Sequence, residues 1–349
     1  MTDTQMVVID GSHGEGGGQT LRTSLSLSVL TGRPVEINRI RAGRSRPGLQ
    51  PQHLAAVRAA AAISAARTEG AEPGSTRLLF APQSRAAPGA YHFEIGTAGA
   101  ATLVAQTVLL PLALAGEPSR VAVVGGTHVP HAPPSDYLSE IYATLLSSHG
   151  LDVDVAVPTA GFLPRGGGRI ELNIRPSAGW TPINLTERGP IQSVTATVLT
   201  AGLPPDVGTR GMAALRQGLA VKAGVQVTHQ EVQSVGPGAA VFLTAQSETG
   251  RAGFSALGAR GRPIGAVAGE AIAAFDRWHR TGAACEEHLA DQLVLPMALT
   301  PGQSRWTTSE VTEHLRTVLW VVPQFLDVNI SLEENADGSG TVRLRGVSL

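Results

Sequence analysis

The sequence predicts an α+β (α/β) chain whose main body is three repeated units, each two helices on a small sheet, carrying an inserted smaller α/β domain. Three observations lead there. First, a glutamine-led apolar helical pattern recurs: QTLRTSLSLSVLTGRPVEIN from Gln19, QTVLLPLALAGEPSRVAVV from Gln106 and QLVLPMALTPGQSRWTT from Gln292. Second, a further helical stretch follows each copy, over 52–63, 135–148 and 309–322, and then β-rich segments such as LDVDVAV and LDVNISL. Third, the first two glutamines are 87 residues apart and the last two 186, an excess of 99 residues that reads as an insertion.

Taken in order, MVVI is β-like and ends at a glycine-dense turn, after which the first repeat helix begins. The weakly polar stretch 99–116 holds Gln106 and Pro111 and is too short for a bilayer span, so it reads as a buried helix. The body is expected over 1–188 and 281–349, because a lone unit could not bury its apolar faces. The insert is expected over 189–280: IQSVTATVL as a strand, 207–223 as an amphipathic helix, QVTHQEV, AAVFLTA and FSALGA as strands, and 266–280 as a closing helix.

With 42% hydrophobic and 16% charged residues, composition is that of an ordinary globular protein. The first ten residues show no basic region ahead of an apolar run, so the expectation is a cytoplasmic protein without a membrane partner. The single cysteine, Cys285, cannot close an intrachain disulfide or supply a cysteine cluster for zinc. Of 27 basic residues only Lys222 is lysine, in AVKAGV, which excludes P-loop, protein-kinase and lysine-nucleophile nucleotidyl-transfer chemistry. Any nucleotide chemistry must use arginine for charge and another residue as nucleophile. A net charge of -1 and few aromatics argue against a broad nucleic-acid track, so a nucleic-acid substrate would be recognised at its end.

Residues 10–22, DGSHGEGGGQTLR, join a strand to a helix through glycines that let backbone N–H groups face an anion. Glu15 would repel phosphate there unless a divalent cation stood between them. The alternative is a tight turn that binds nothing. Arg39, Arg41, Arg44 and Arg46 fall within RIRAGRSRPGLQPQHL, a loop bent by Gly43, Pro47 and Gly48, and forked guanidinium groups suit a terminal phosphate monoester.

Together, GEGGGQTLRTSLSLSVLTG, IRAGRSRPGLQPQHLAAV, GTAGAATLVAQTVL, GGTHVPHAPPSDY and EEHLADQLVLPMAL strongly resemble the RNA 3'-terminal phosphate cyclases. The resemblance spans essentially the whole body and weakens across the insert and the last fifty residues. It implies ATP-dependent conversion of an RNA 3'-phosphate to a 2',3'-cyclic phosphodiester, with AMP and pyrophosphate released. It also implies three repeats plus an inserted domain of thioredoxin-like topology. By residue-wise matching, TEHLRTVLWVV puts the nucleophile at His314, which would carry AMP covalently and pass it to the RNA. Glu15 matches the acid that binds a divalent metal, Mg or Mn. Arg22, Arg41, Arg44 and Gln52 match ligands of the RNA terminal phosphate. Gln19, Gln106, Asp291 and Gln292 would face the nucleotide, with Pro134 and Tyr137 as the apolar wall of the adenine pocket.

Three positions depart from the family pattern: His288, in the nucleotide site, stands for Tyr, His128 for Asp or Asn, and Val318 for the Asn that often follows this helix's HxxT. His128 and His131 are spaced for a metal but read as two loop histidines without a third ligand. The rival readings are a non-catalytic cyclase-like RNA or ribosome-assembly protein, which would not take label from ATP, and an enolpyruvyl transferase, whose chemistry leans on lysine. The resemblance leaves open a homodimer and the use of other phosphorylated ends.

Overall fold

The computed structural model describes residues 5–220 and 224–349, so Lys222 and the end of the helix expected over 207–223 lie outside the described residues. The first unit runs β1 (Val7–Asp10), α1 (Gly18–Thr31), β2 (Val35–Asn38), α2 (Pro51–Ser64), β3 (Arg67–Glu69) and β4 (Leu78–Ala81). The second runs β5 (Ala90–Glu94), α3 (Ala101–Ala113), β6 (Ser119–Gly125), then α4 (Ser135–Tyr137), a π-helical turn over Leu138–Ala143 and α5 (Thr144–Ser147), and closes with β7 (Val153–Thr159) and β8 (Gly168–Ile174). The third begins with the two-residue β9 (Asn184–Leu185) and is then interrupted. The interruption holds β10 (Ile191–Ala201), α6 (Pro205–Gly218), β11 (Val225–Glu231), β12 (Gly238–Ser247), β13 (Arg251–Leu257) and α7 (Ile264–Thr281). The third unit resumes with α8 (Glu287–Gln292), α9 (Val294–Ala298), β14 (Gly302–Thr308), α10 (Glu313–Val321), a 3-10 turn over Val322–Gln324, β15 (Asn329–Glu334) and β16 (Gly340–Gly346).

The α+β class is the one expected. Each unit builds one four-stranded sheet, with strand orders β1-β2-β4-β3, β5-β6-β8-β7 and, in the third, β9-β14-β16-β15. In all three the first two strands are parallel and the remaining neighbours antiparallel. A right-handed helical crossover can link the parallel pair, which is why each unit needs its glutamine-led helix between them. The segment between β9 and α8 forms its own sheet, β11-β10-β12-β13, and its own apolar cluster around Val198, Leu243, Phe275 and Trp278. A larger cluster takes side chains from all three units, among them Leu25, Val57, Leu109, Leu138, Leu293 and Leu315.

Two prolines shape the central helices. Pro111 cannot donate to the Thr107 carbonyl, and Ser26 Oγ from α1 donates to that oxygen at 2.7 Å instead, tying the first two units together. Pro296 leaves the Gln292 carbonyl without its helical donor, and the run from Gln292, expected as one helix, divides into α8 and α9. The helix expected over 309–322 starts later, at Glu313, because Thr312 caps it by accepting from Leu315 N at 3.1 Å. No helix among the described residues is long and apolar enough to cross a membrane.

Candidate active site

The loop after β1 and the first turn of α10 meet at one place, although 295 residues separate Gln19 from His314. Asp10 anchors the loop: Ser12 N donates to Oδ1 at 3.0 Å and Arg39 pairs with the carboxylate, the Arg39 bond foremost in holding its pKa down to about 2. His13 stacks on Trp320 of α10, ring centroids 3.9 Å apart. Gly14 has φ of +61°, and a Cβ there would lie 2.3 Å from Thr317 Oγ1, so only glycine lets the loop seat against α10. Thr317, fully buried, accepts from Glu15 N at 3.4 Å while its hydroxyl donates to the Glu313 carbonyl at 2.6 Å. This polar seat is Thr317's work. Val318, the departure noted above, faces the core at 2% exposure.

His314 stands in the first turn of α10, its side chain half exposed. Nδ1 lies 2.6 Å from Gln19 Oε1, and Gln19 Nε2 donates to Asp291 Oδ2 at 2.6 Å. On the other side of the ring, Nε2 lies 3.0 Å from Glu15 Oε2, which also accepts from Arg44 Nη2 at 2.6 Å. Burial is the main cause lowering the His314 pKa from its ordinary value, with Glu15 opposing and Arg22 reinforcing it. Burial pushes Asp291 up to about 7, with the Gln19 bond among the opposing influences. Burial brings Arg22 down to about 10, opposed by Glu15 and Asp291, so it stays charged at neutral pH.

The remaining nucleotide-side residues form a second set of bonds, between α3 and α8. Gln106 Nε2 donates to Gln292 Oε1 at 2.6 Å, and Gln292 Nε2 donates to the His288 carbonyl at 2.8 Å, so the helices of the second and third units meet through their matching glutamines. His288 presents a 64% exposed side chain at the start of α8. Pro134 and Tyr137 are both buried, and the Tyr137 hydroxyl donates to the buried carboxylate of Glu286. Glu286 also caps α8, accepting from His288 N at 2.6 Å and Leu289 N at 2.8 Å, and burial raises its pKa.

On the arginine side, Arg41 donates to the carbonyls of Arg46 and Gly48, the latter at 3.1 Å, and Gln52 Oε1 accepts from Ala100 N at 2.9 Å. His128 is fully committed within the protein, Nε2 to Asp136 Oδ2 at 2.6 Å and Nδ1 to Thr127 Oγ1 at 2.8 Å, while His131 is exposed. Sequence reasoning passed over Glu286, although its capping position ahead of HLADQ was a readable signal.

A family model described as RNA 3'-terminal phosphate cyclase matches residues 13–332. The protein named RNA 3'-terminal phosphate cyclase from Gloeothece citriformis is 42% identical over 339 residues, covering 94% of this chain and 97% of that one. Its namesakes from Ralstonia nicotianae and Methylococcus capsulatus are 45% and 42% identical over 335 and 347 residues, covering 95% and 97% of this chain and 95% and 96% of their own. Among solved structures, the enolpyruvyl transferase NikO from Streptomyces tendae aligns over 99% of this chain and 49% of that one, with a TM-score of 0.39 and 9% identity.

Proposed function

The chain belongs to the RNA 3'-terminal phosphate cyclase family, and from that membership we propose that it converts RNA 3'-phosphate ends to 2',3'-cyclic phosphodiesters through AMP carried on His314 Nε2. The observation that carries this reading is the chain of bonds from His314 Nδ1 through Gln19 to Asp291. Because the Gln19 amide nitrogen donates to Asp291, its oxygen faces His314 and accepts a hydrogen bond from Nδ1–H, which leaves the lone pair on Nε2. Nε2 points towards Glu15, whose Oε2 lies 3.0 Å away.

In the first step Nε2 attacks the α-phosphorus of ATP, a new N–P bond replaces the bond to the bridging oxygen, and pyrophosphate leaves. An oxygen of the RNA 3'-phosphate then attacks the same phosphorus, the N–P bond breaks and His314 recovers its neutral ring. Finally the neighbouring 2'-OH attacks the 3'-phosphorus, loses its proton and expels AMP, a ring closure favoured by proximity. Arg44 and Arg22 supply positive charge to these phosphates.

Glu15 fits a divalent ion, Mg or Mn: its side chain is 10% exposed, in the glycine loop, and Oε1 has no hydrogen-bond partner among the described residues. Bound there with the nucleotide's oxygens, such an ion would neutralise charge on the leaving pyrophosphate. We also read 1–188 with 281–349 as the catalytic body and 189–280 as a separate domain. The test is ATP labelled at the α-phosphate, given with metal and no RNA. The expected product is an acid-labile, alkali-stable protein label absent from His314→Ala. A folded wild type that takes no label would favour the non-catalytic relative.

A further inference from the structure

The segment that carries Pro134 and Tyr137 has little backbone with which to hold its shape. It follows β6 as THVPHAPPSDY, and Pro130, Pro133 and Pro134 bring no N–H to it. His131 within it has φ of +62°, left-handed backbone that a side chain disfavours. The chain then enters the π-helical turn, a form that departs from regular helical bonding. Two bonds anchor the segment, Ser135 N to the Thr127 carbonyl at 3.0 Å and Thr102 Oγ1 to the Pro133 carbonyl at 2.9 Å. A third closes it from side chain to side chain, between His128 and Asp136 eight residues on.

His128 is buried and its ring is fixed on every side. Thr127 Oγ1 accepts from Gly161 N at 2.9 Å, so its own proton goes to His128 Nδ1, 2.8 Å away. Nε2–H is then the donor to Asp136 Oδ2 at 2.6 Å. Phe162 stacks on the ring, centroids 5.1 Å apart. Phe162 in turn rests on the interrupting segment: a Cβ at Gly238 would fall 2.1 Å from Phe162 Cγ, so glycine at the start of β12 leaves the phenyl ring its place. Beside it Ala160 N donates to the Gln233 carbonyl at 2.7 Å, and Leu199, Ala240 and Phe242 of the inserted sheet join the apolar cluster that holds Phe162. The insert thus backs the histidine that closes the segment.

We propose that His128 is a positioning residue for the nucleotide, bracing Pro134 and Tyr137 through Asp136 and itself braced by the inserted domain through Phe162. This role rests on the cyclase reading, which supplies ATP and the apolar wall, and it gives the inserted domain a part in ATP binding. The tie needs the reach of an imidazole: on the same backbone Asn ends near the place of Nδ1 and stops short of Asp136. His128 acts without touching the nucleotide. A wall already in place spares the incoming base the cost of ordering it, so the effect falls on affinity for ATP.

The test is self-adenylylation in single turnover over a range of α-phosphate-labelled ATP at saturating metal, which yields the half-saturating ATP concentration and the limiting rate separately. His128→Asn removes the donor to Asp136 and keeps a partner for Thr127, whereas His128→Gln returns an amide N–H near the place of Nε2. His128→Asn is expected to raise half-saturating ATP about tenfold with the limiting rate within about twofold of wild type, and His128→Gln to recover most of the loss. Phe162→Leu, which withdraws the ring between His128 and Gly238, should raise half-saturating ATP as well, and adding His128→Asn to it should cost less than in wild type. With enzyme–AMP formed in advance, half-saturating 3'-phosphate RNA should stay unchanged in both. Urea melts show which variants fold, and if His128→Asn does not, Phe162→Leu against wild type carries the same test. Unchanged half-saturating ATP, a loss borne by the limiting rate alone, or equal weakening of RNA use overturns the role and leaves the cyclase reading standing. A wild type that forms no enzyme–AMP overturns both.

Discussion

Replacing Gln19 by leucine removes both 2.6 Å bonds of the His314–Gln19–Asp291 chain while keeping nearly the same volume. The first bond selects the tautomer with a free Nε2. Losing a bond of this kind costs about 1 kcal/mol between neutral groups and up to about 3 where a carboxylate's charge is felt. At about 1.4 kcal/mol per factor of ten, self-adenylylation should slow about fivefold to a hundredfold. The second bond leaves a buried carboxyl without its donor, at a cost of about 1–3 kcal/mol of stability. The assay is a quenched single-turnover time course with α-phosphate-labelled ATP at saturating metal, read on neutral denaturing gels, beside a urea melt. An adenylylation rate within about twofold of wild type would show that Gln19 does not govern the nucleophile.

Arg44→Ala should impair use of 3'-phosphate RNA more than self-adenylylation in the same labelled assays, and equal loss would assign Arg44 to the ATP step. Gly14→Ala puts a methyl against Thr317 Oγ1 at positive φ and should lower the urea midpoint by an amount worth about 1–3 kcal/mol, with self-adenylylation reduced as the loop lifts from α10. Because burial raises the Asp291 pKa from 3.8 to about 7, its protonated form is the one the fold favours. The stability it confers is complete below pH 3.8, drains away as pH rises towards about 7 and is gone above that. Urea melts of wild type against Asp291→Asn should therefore converge or cross over that range, and a constant difference would contradict the assignment.

What could be read ahead of the structure were features with local causes. The glutamine-led helices carry their period in the chain, the glycine loop announces positive φ, and α8's carboxylate cap precedes its helix. β9 was illegible because two residues hold no period, and its place is set by pairing Asn184 and Leu185 with Arg305 and Trp306 across the interruption. The broken helix at Leu293 follows from Pro296, a signal present but outweighed by the apolar run. Of the residues matched by resemblance, His314, Gln19, Asp291, Glu15 and Arg44 are linked to one another, yet nothing in the local sequence could say that Gln19 bridges His314 and Asp291.

The interruption between β9 and α8 bears on how the molecule is made. The glycine loop leaves the ribosome early, whereas α10 emerges among the last forty or so residues, after the interrupting segment has had time to collapse on its own core. A nascent or truncated chain can thus hold three finished sheets and still lack His314, the proposed nucleophile. Acquisition of the nucleotide label would then mark completion of synthesis, and the labelled fraction of a preparation would count the chains that folded through to their final unit.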